Sequence, residues 1–210
     1  MKNPSNRRHV LKGSAALAAG FLSAPLLTHA SPPPGRDDEL YLVGPKEGFS
    51  PHVGSLFSMM TMMRTWVVRR VENLSIKELD HQVDKQSNSI GAMLLHLAAT
   101  ERYYQLNTFY QMQWGSWSEE VKAEWDVPMV LGKMGRKQIK GHEISYYLDK
   151  LKTVRETTRQ EFMKRDDVWL MESETFFDNL PTNNFAKWFH VCEHESNHLG
   201  QIKFILKRLA

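Results

Sequence analysis

The sequence predicts an all-α fold, a four-helix bundle with a long connection between the second and third helices, on three observations. Four long stretches repeat apolar residues at three- and four-residue steps, the period of a helix with one buried face. No stretch alternates apolar and polar residues convincingly enough to be a strand. A connection of unusual length, 114–141, separates the second stretch from the third, as a bundle with one long crossover requires.

The first helix opens at Ser50-Pro51, a cap residue followed by proline in the first turn. Val53, Leu56, Phe57, Met60, Met63, Val67, Val71 and Leu74 then share one face. The second starts near Asn88-Ser89, sets Ile90, Met93, Leu94, Leu97 and Tyr104 on one side, and runs to about Gln113. The third follows Gly141, with Ile144, Leu148, Leu151, Val154 and Phe162 in register, and the fourth runs from Thr182-Asn183 to the C-terminus. The connection carries Trp114, Trp117 and Trp125 and is expected to hold a short helix around 118–125. Its tryptophans either lid a cleft or fill one end of the bundle. No internal repeat is apparent, so residues 49–210 form one domain, preceded by an extended arm at 31–48 that begins Ser31-Pro32-Pro33-Pro34-Gly35.

At 210 residues, with 41% hydrophobic and 24% charged side chains, the composition is that of a globular protein and excludes collagen-like and disordered classes. A single cysteine, Cys192, excludes an internal disulfide framework. The net charge of +3 is concentrated at one end. Lys2, Arg7, Arg8 and Lys12 lie in the first thirty residues with no acid; removing these four leaves 23 of the 27 basic residues against 24 acidic ones. No basic bias toward nucleic acid then survives. Residues 1–30 read as a signal peptide: a charged start, an apolar run from Ser14 to Leu27, and Thr28-His29-Ala30 with small residues before the cleavage point. That run is shorter than the roughly 20 residues that span a bilayer, so no lasting anchor is expected. Arg7-Arg8 before a weakly hydrophobic stretch resembles a twin-arginine signal, which implies export of a folded protein to a periplasmic or extracellular location.

The chemistry is concentrated in histidines. His190, His194 and His198 are spaced four apart. Neighbours at that spacing sit about 6 Å along a helix and can chelate one ion, whereas the outer two are about 12 Å apart and cannot both reach it. Projected at about 100° per residue, His198 falls within the buried arc of Leu199, Ile202, Ile205, Leu206 and Leu209, His194 at its edge, and His190 further round. The pair His194 and His198 is therefore favoured, with His190 in a supporting or surface position. His194-Glu195-Ser196-Asn197-His198 also matches a zinc-protease motif, but the chain after His198 offers no His, Asp or Glu as third ligand. The upstream candidate is His96, beside the apolar face of the second helix. Three neutral imidazoles suit Zn²⁺, with Ni²⁺ or Fe²⁺ also compatible, and leave a position open for water or substrate.

Ile90-Gly91, His96-Leu97 and Glu101, followed by His194-xxx-His198-x-Gly200-Gln201-Ile202, resemble the DinB-like metalloenzyme superfamily across residues 50–210. The resemblance implies a four-helix bundle holding a divalent metal through His96, His194 and His198. It also implies activation of a water or thiol for hydrolysis or group transfer on a small molecule. The alternatives are a non-catalytic metal- or ligand-binding protein and a plain helical interaction module.

Two carboxylates are candidate acid–base residues, Glu101 and Glu195. Glu101 projects into the apolar face, where it either orients a ligand histidine or pairs with an arginine or lysine. Glu193 and Glu195 flank His194 and are both placed to serve as acid or base, with at least one expected on a solvated face. Met59, Met60, Met62 and Met63 are at core spacing, although a methionine cluster would also suit Cu(I). Cys192 is expected in the core, and His52, His81 and His142 at the surface. A homodimer is compatible with the pattern but not dictated by it.

Overall fold

The computed structural model describes residues 39–176 and 179–209. The leader and residues 31–38 of the arm lie outside the described residues. The rest of the arm turns along the first helix without a helical period. Gly44 N–H donates to Ser58 Oγ at 3.1 Å, and Tyr41 packs on Trp66.

Four long helices make the core: α1 (Pro51–Val71), α3 (Ile90–Thr108), α6 (Ile144–Phe162) and α8 (Asn184–Leu206). Between them lie the short α2 (Ile76–Leu79), α4 (Glu119–Val130), α5 (Gly132–Gln138) and α7 (Asp167–Met171). Each long helix packs against two others: α1 against α6 and α8, and α3 against α6 and α8. Gly91 permits the close approach of α3 to α6, since a Cβ there would lie 2.6 Å from the Tyr147 hydroxyl.

Two apolar clusters fill the interior. One takes Val53, Leu56 and Met60 of α1, Phe109, Phe162, and Trp188 and Val191 of α8. The other takes Val67 and Val71 of α1, Ile90 to Ala99 of α3, Tyr147 to Val154 of α6, and Leu199 to Ile205 of α8. Helices α1 and α8 thus start in the first cluster and end in the second, while α3 and α6 run the other way. Because α3 and α6 share a direction, the chain must return along the whole core between them. That return is the long connection, which folds as α4 and α5 and buries Trp117 and Trp125 against α3.

Local chemistry sets the helix ends. Ser89 and Asn183 cap α3 and α8 by accepting from Ala92 and Ala186 N–H. Ser50 does not cap α1 with its own side chain. Asp167 of α7 does so across the fold, its Oδ1 accepting from Ser50 Oγ at 2.7 Å, His52 N–H at 3.0 Å and Val53 N–H at 3.1 Å. Helix α3 stops at Thr108, short of the expected Gln113. Gln111 takes the left-handed conformation (φ 54°), a place usually given to glycine, and Met112 N–H reaches back to the Leu106 carbonyl at 3.1 Å. A small antiparallel hairpin, β1 (Ser173–Phe176) with β2 (Leu180–Asn183), is the one departure from helix among the described residues, and the sequence did not announce it. Lys187 of α8 braces its base, donating to Glu174 Oε1 at 2.5 Å and Asn107 Oδ1 at 2.6 Å. Among the described residues, no helix is long and apolar enough to cross a membrane.

Candidate metal centre

Helix α3 supplies His96 to the groove it forms with α8, and α8 supplies His194 and His198 one turn apart. His194 Nε2 lies 2.9 Å from His96 Nε2 and 3.2 Å from His198 Nε2. The three donor atoms all fall within 4.8 Å of one another. Three nitrogens about 2.0–2.1 Å from one ion, at tetrahedral or octahedral angles, would stand roughly 2.9–3.4 Å apart, so the two close contacts have the spacing of shared ligands. The histidines expected to converge do so, and the group can hold a metal ion.

The His96 ring is held from behind. Its Nδ1–H donates to the Pro128 carbonyl at 2.9 Å, which leaves Nε2 as the lone-pair nitrogen directed at α8. That carbonyl is free because α4 ends at Val130, where Leu131 (φ 57°) breaks the helix and orphans its last carbonyls. Two further contacts fasten α4 to the same stripe of α3. Tyr103 hydroxyl donates to Asp126, and Thr100 Oγ1 donates to Met129 Sδ at 3.7 Å. The long connection therefore fixes a ligand as well as covering the core.

Burial favours the neutral rings. It lowers the His194 pKa to about 3 and the His198 pKa to about 4, with the neighbouring imidazoles adding to both effects. Burial also lowers His96, partly offset by the Pro128 and Met129 carbonyls. Neutral imidazole is the metal-binding form. The separation of 2.9 Å brings lone pairs close, and a single Nε2–H on His194 can serve one neighbour but not both. A cation between them satisfies all three.

The expected acid–base residues lie elsewhere. Glu101 is fully buried and accepts from Arg64 at 2.8 Å, from Arg155 at 2.8 and 3.2 Å and from Thr158 Oγ1 at 2.6 Å. Glu195 Oε1 accepts from Arg64 at 2.5 and 2.9 Å and from Arg155 at 2.6 Å. Of the two roles open to Glu101, the arginine pair is the one adopted. Burial alone would raise its pKa, but Arg155 and Arg64 outweigh that and hold it below the usual carboxylate range. One residue from each long helix meets in this layer, between the two apolar clusters.

The remaining candidates fall into place around this frame. Glu193 reaches the surface and pairs with His190 at 2.8 Å. Cys192 is buried in the first apolar cluster, and burial pushes its thiol up to about 11. Met60 is core, with Met59 and Met63 packed beside it. Trp114 bridges both clusters and Trp117 and Trp125 are buried, so these rings fill the core under the connection. His142 stacks on Tyr146 at 4.0 Å between centroids, away from the metal group.

Sequence reasoning missed Arg64, Arg155 and the Pro128 carbonyl. Arg64 stands four residues after Met60 in the buried phase of α1, and Arg155 four after Leu151 in that of α6, so each was a cation with a core address. The segment Pro128-Met-Val-Leu-Gly132 signals a helix end, but not which side chain would use its carbonyls. No protein-family model matches this chain, and no curated protein matches it.

Proposed function

We propose that the protein is an exported, metal-dependent enzyme of the DinB-like type, a four-helix bundle whose ion is held by His96, His194 and His198. Zn²⁺ is the favoured ion on the donor set, with Ni²⁺ and Fe²⁺ compatible. The observation that carries the reading is the meeting of three imidazole nitrogens from α3 and α8, one of them tautomer-locked by Pro128. A divalent ion bound there would supply the Lewis acidity that makes a water or thiol more acidic, as hydrolysis or group transfer on a small molecule requires. The chain's own part is to present three neutral rings, hold His96 against α4 and keep bulk water from the buried side. Glu101 and Glu195 enter as positioning residues: each is neutralised by two guanidiniums, and Glu195 fixes α8 at the turn that carries His194. The second reading, a metal-binding protein without catalysis, is favoured by that same pairing, which ties both carboxylates to Arg64 and Arg155 rather than to the histidine group.

The test is elemental analysis of the mature protein beside a His194→Ala, His198→Ala variant. About one ion per chain in the native protein and loss of it in the variant is the expected result. Equal metal content in both would remove the site.

A further inference from the structure

Helix α8 carries a second set of donors, one turn toward its N-terminus. His190, Glu193 and His194 each offer a ligand atom, and these atoms lie within 4.8 Å of one another. The spacing i, i+3, i+4 puts all three on one face. His190 Nδ1 is 2.8 Å from Glu193 Oε1, and the His190 and His194 ring centroids are 5.1 Å apart. The two groups differ in access: the His190 and Glu193 side chains are 44% and 40% exposed, whereas His198 is buried.

We infer that His190, Glu193 and His194 form an entry site that takes a divalent transition-metal ion from solvent and passes it to the inner group through His194. Two imidazoles and a carboxylate are a suitable donor set for a zinc-like ion, and solvent completes the shell at an exposed position. His194 belongs to both groups. A neutral imidazole has one lone-pair nitrogen, so His194 serves one ion at a time, which makes the two groups successive stations rather than a two-metal centre. Moving inward exchanges His190 and Glu193 for His96 and His198 while His194 stays engaged. The inner station is the tighter one. Its rings are the more deeply buried and His96 is oriented by a carbonyl, whereas the outer ligands are half-exposed. The passage inward rests on the inner group being a metal site; binding at the outer group does not.

The test is Co²⁺ titration of metal-free protein, followed by the visible absorption that imidazole coordination produces, with stopped-flow association rates. The His96→Ala, His198→Ala variant is expected to bind one Co²⁺, more weakly than the native chain, because the remaining ligands are half-exposed. Adding His190→Ala and Glu193→Gln should abolish that binding. In an otherwise native chain, His190→Ala with Glu193→Gln should slow Co²⁺ association, a larger effect than on equilibrium affinity. No Co²⁺ bound by the His96→Ala, His198→Ala variant would overturn the outer site, as would binding indifferent to His190 and Glu193. Unchanged association rates would overturn the entry role. Equal affinity of the native chain and the His96→Ala, His198→Ala variant would refute the inner site and the passage to it, while the outer site stood. Should the alanine pair lose helicity by circular dichroism, His96→Gln with His198→Gln gives the same comparison at closer volume.

Discussion

His194 and Glu195 are neighbours in sequence and stand in two polar regions that resolve burial in opposite ways. Glu195 turns into the core, where Arg64, Glu101 and Arg155 complete a layer of two positive and two negative groups contributed by all four long helices. The layer is closed by the protein's own charges. His194 turns into the groove between α3 and α8, where the groups it meets, His96 and His198, are imidazole nitrogens like its own and bring no opposite charge. Buried polarity that the chain neutralises internally is architecture; buried donors directed at one another call for a cation from outside. By that criterion the charged layer, the more conspicuous of the two, is the scaffold, and the histidine group is the site.

The comparison can be broken most sharply at the charged layer. Removing one member leaves its partners as uncompensated buried charge, so Arg155→Ala or Glu101→Ala should cost about 3–5 kcal/mol in urea denaturation. A loss below about 1 kcal/mol, the range of exposed pairs, would mean that the layer is effectively solvated and not a scaffold.

Acid should separate the regions next. His194 and His198 have folded-state pKa values lowered to about 3 and about 4 from an ordinary value of 6.5. Between those limits the unfolded chain takes up protons that the folded chain refuses. Metal-free protein should therefore lose stability progressively as the pH falls below about 6.5, with the loss levelling off beneath about 3–4. Glu101, held below its ordinary range, contributes its share above the usual carboxylate titration and loses it only as the pH falls through its lowered value. Melting temperatures of chelator-treated protein from pH 7.5 to 5 should slope downward, and His194→Gln with His198→Gln should flatten that slope. An unchanged slope would place these rings in solvent.

The smallest effect lies at the far end of the core. Asp167→Ala removes the cap that α7 supplies to α1 and should cost about 1 kcal/mol with metal content unaltered. A change in metal content would show that the two ends are coupled.

Much of this was legible in the sequence. The four long helices follow from apolar periodicity, because each buries one stripe and the stripe repeats locally. His194 and His198 follow from the phase of α8, and His96 from its place beside the α3 stripe. What stayed hidden depends on partners distant in the chain. Asp167 caps a helix more than a hundred residues away. Pro128 orients His96 only because Leu131 breaks α4, and Gln111 ends α3 in a conformation usually left to glycine. Glu101 was recognisable as a buried carboxylate, but its role was undecidable until Arg64 and Arg155 were brought beside it by the packing of α1 and α6. The hairpin is built from two four-residue strands, too short to establish a period.

The most direct test is anomalous diffraction from crystals of the protein grown with Zn²⁺. One peak about 2.0–2.1 Å from Nε2 of His96, His194 and His198 together is the predicted result. A fully occupied peak elsewhere, with those three nitrogens bound to no ion, would contradict it.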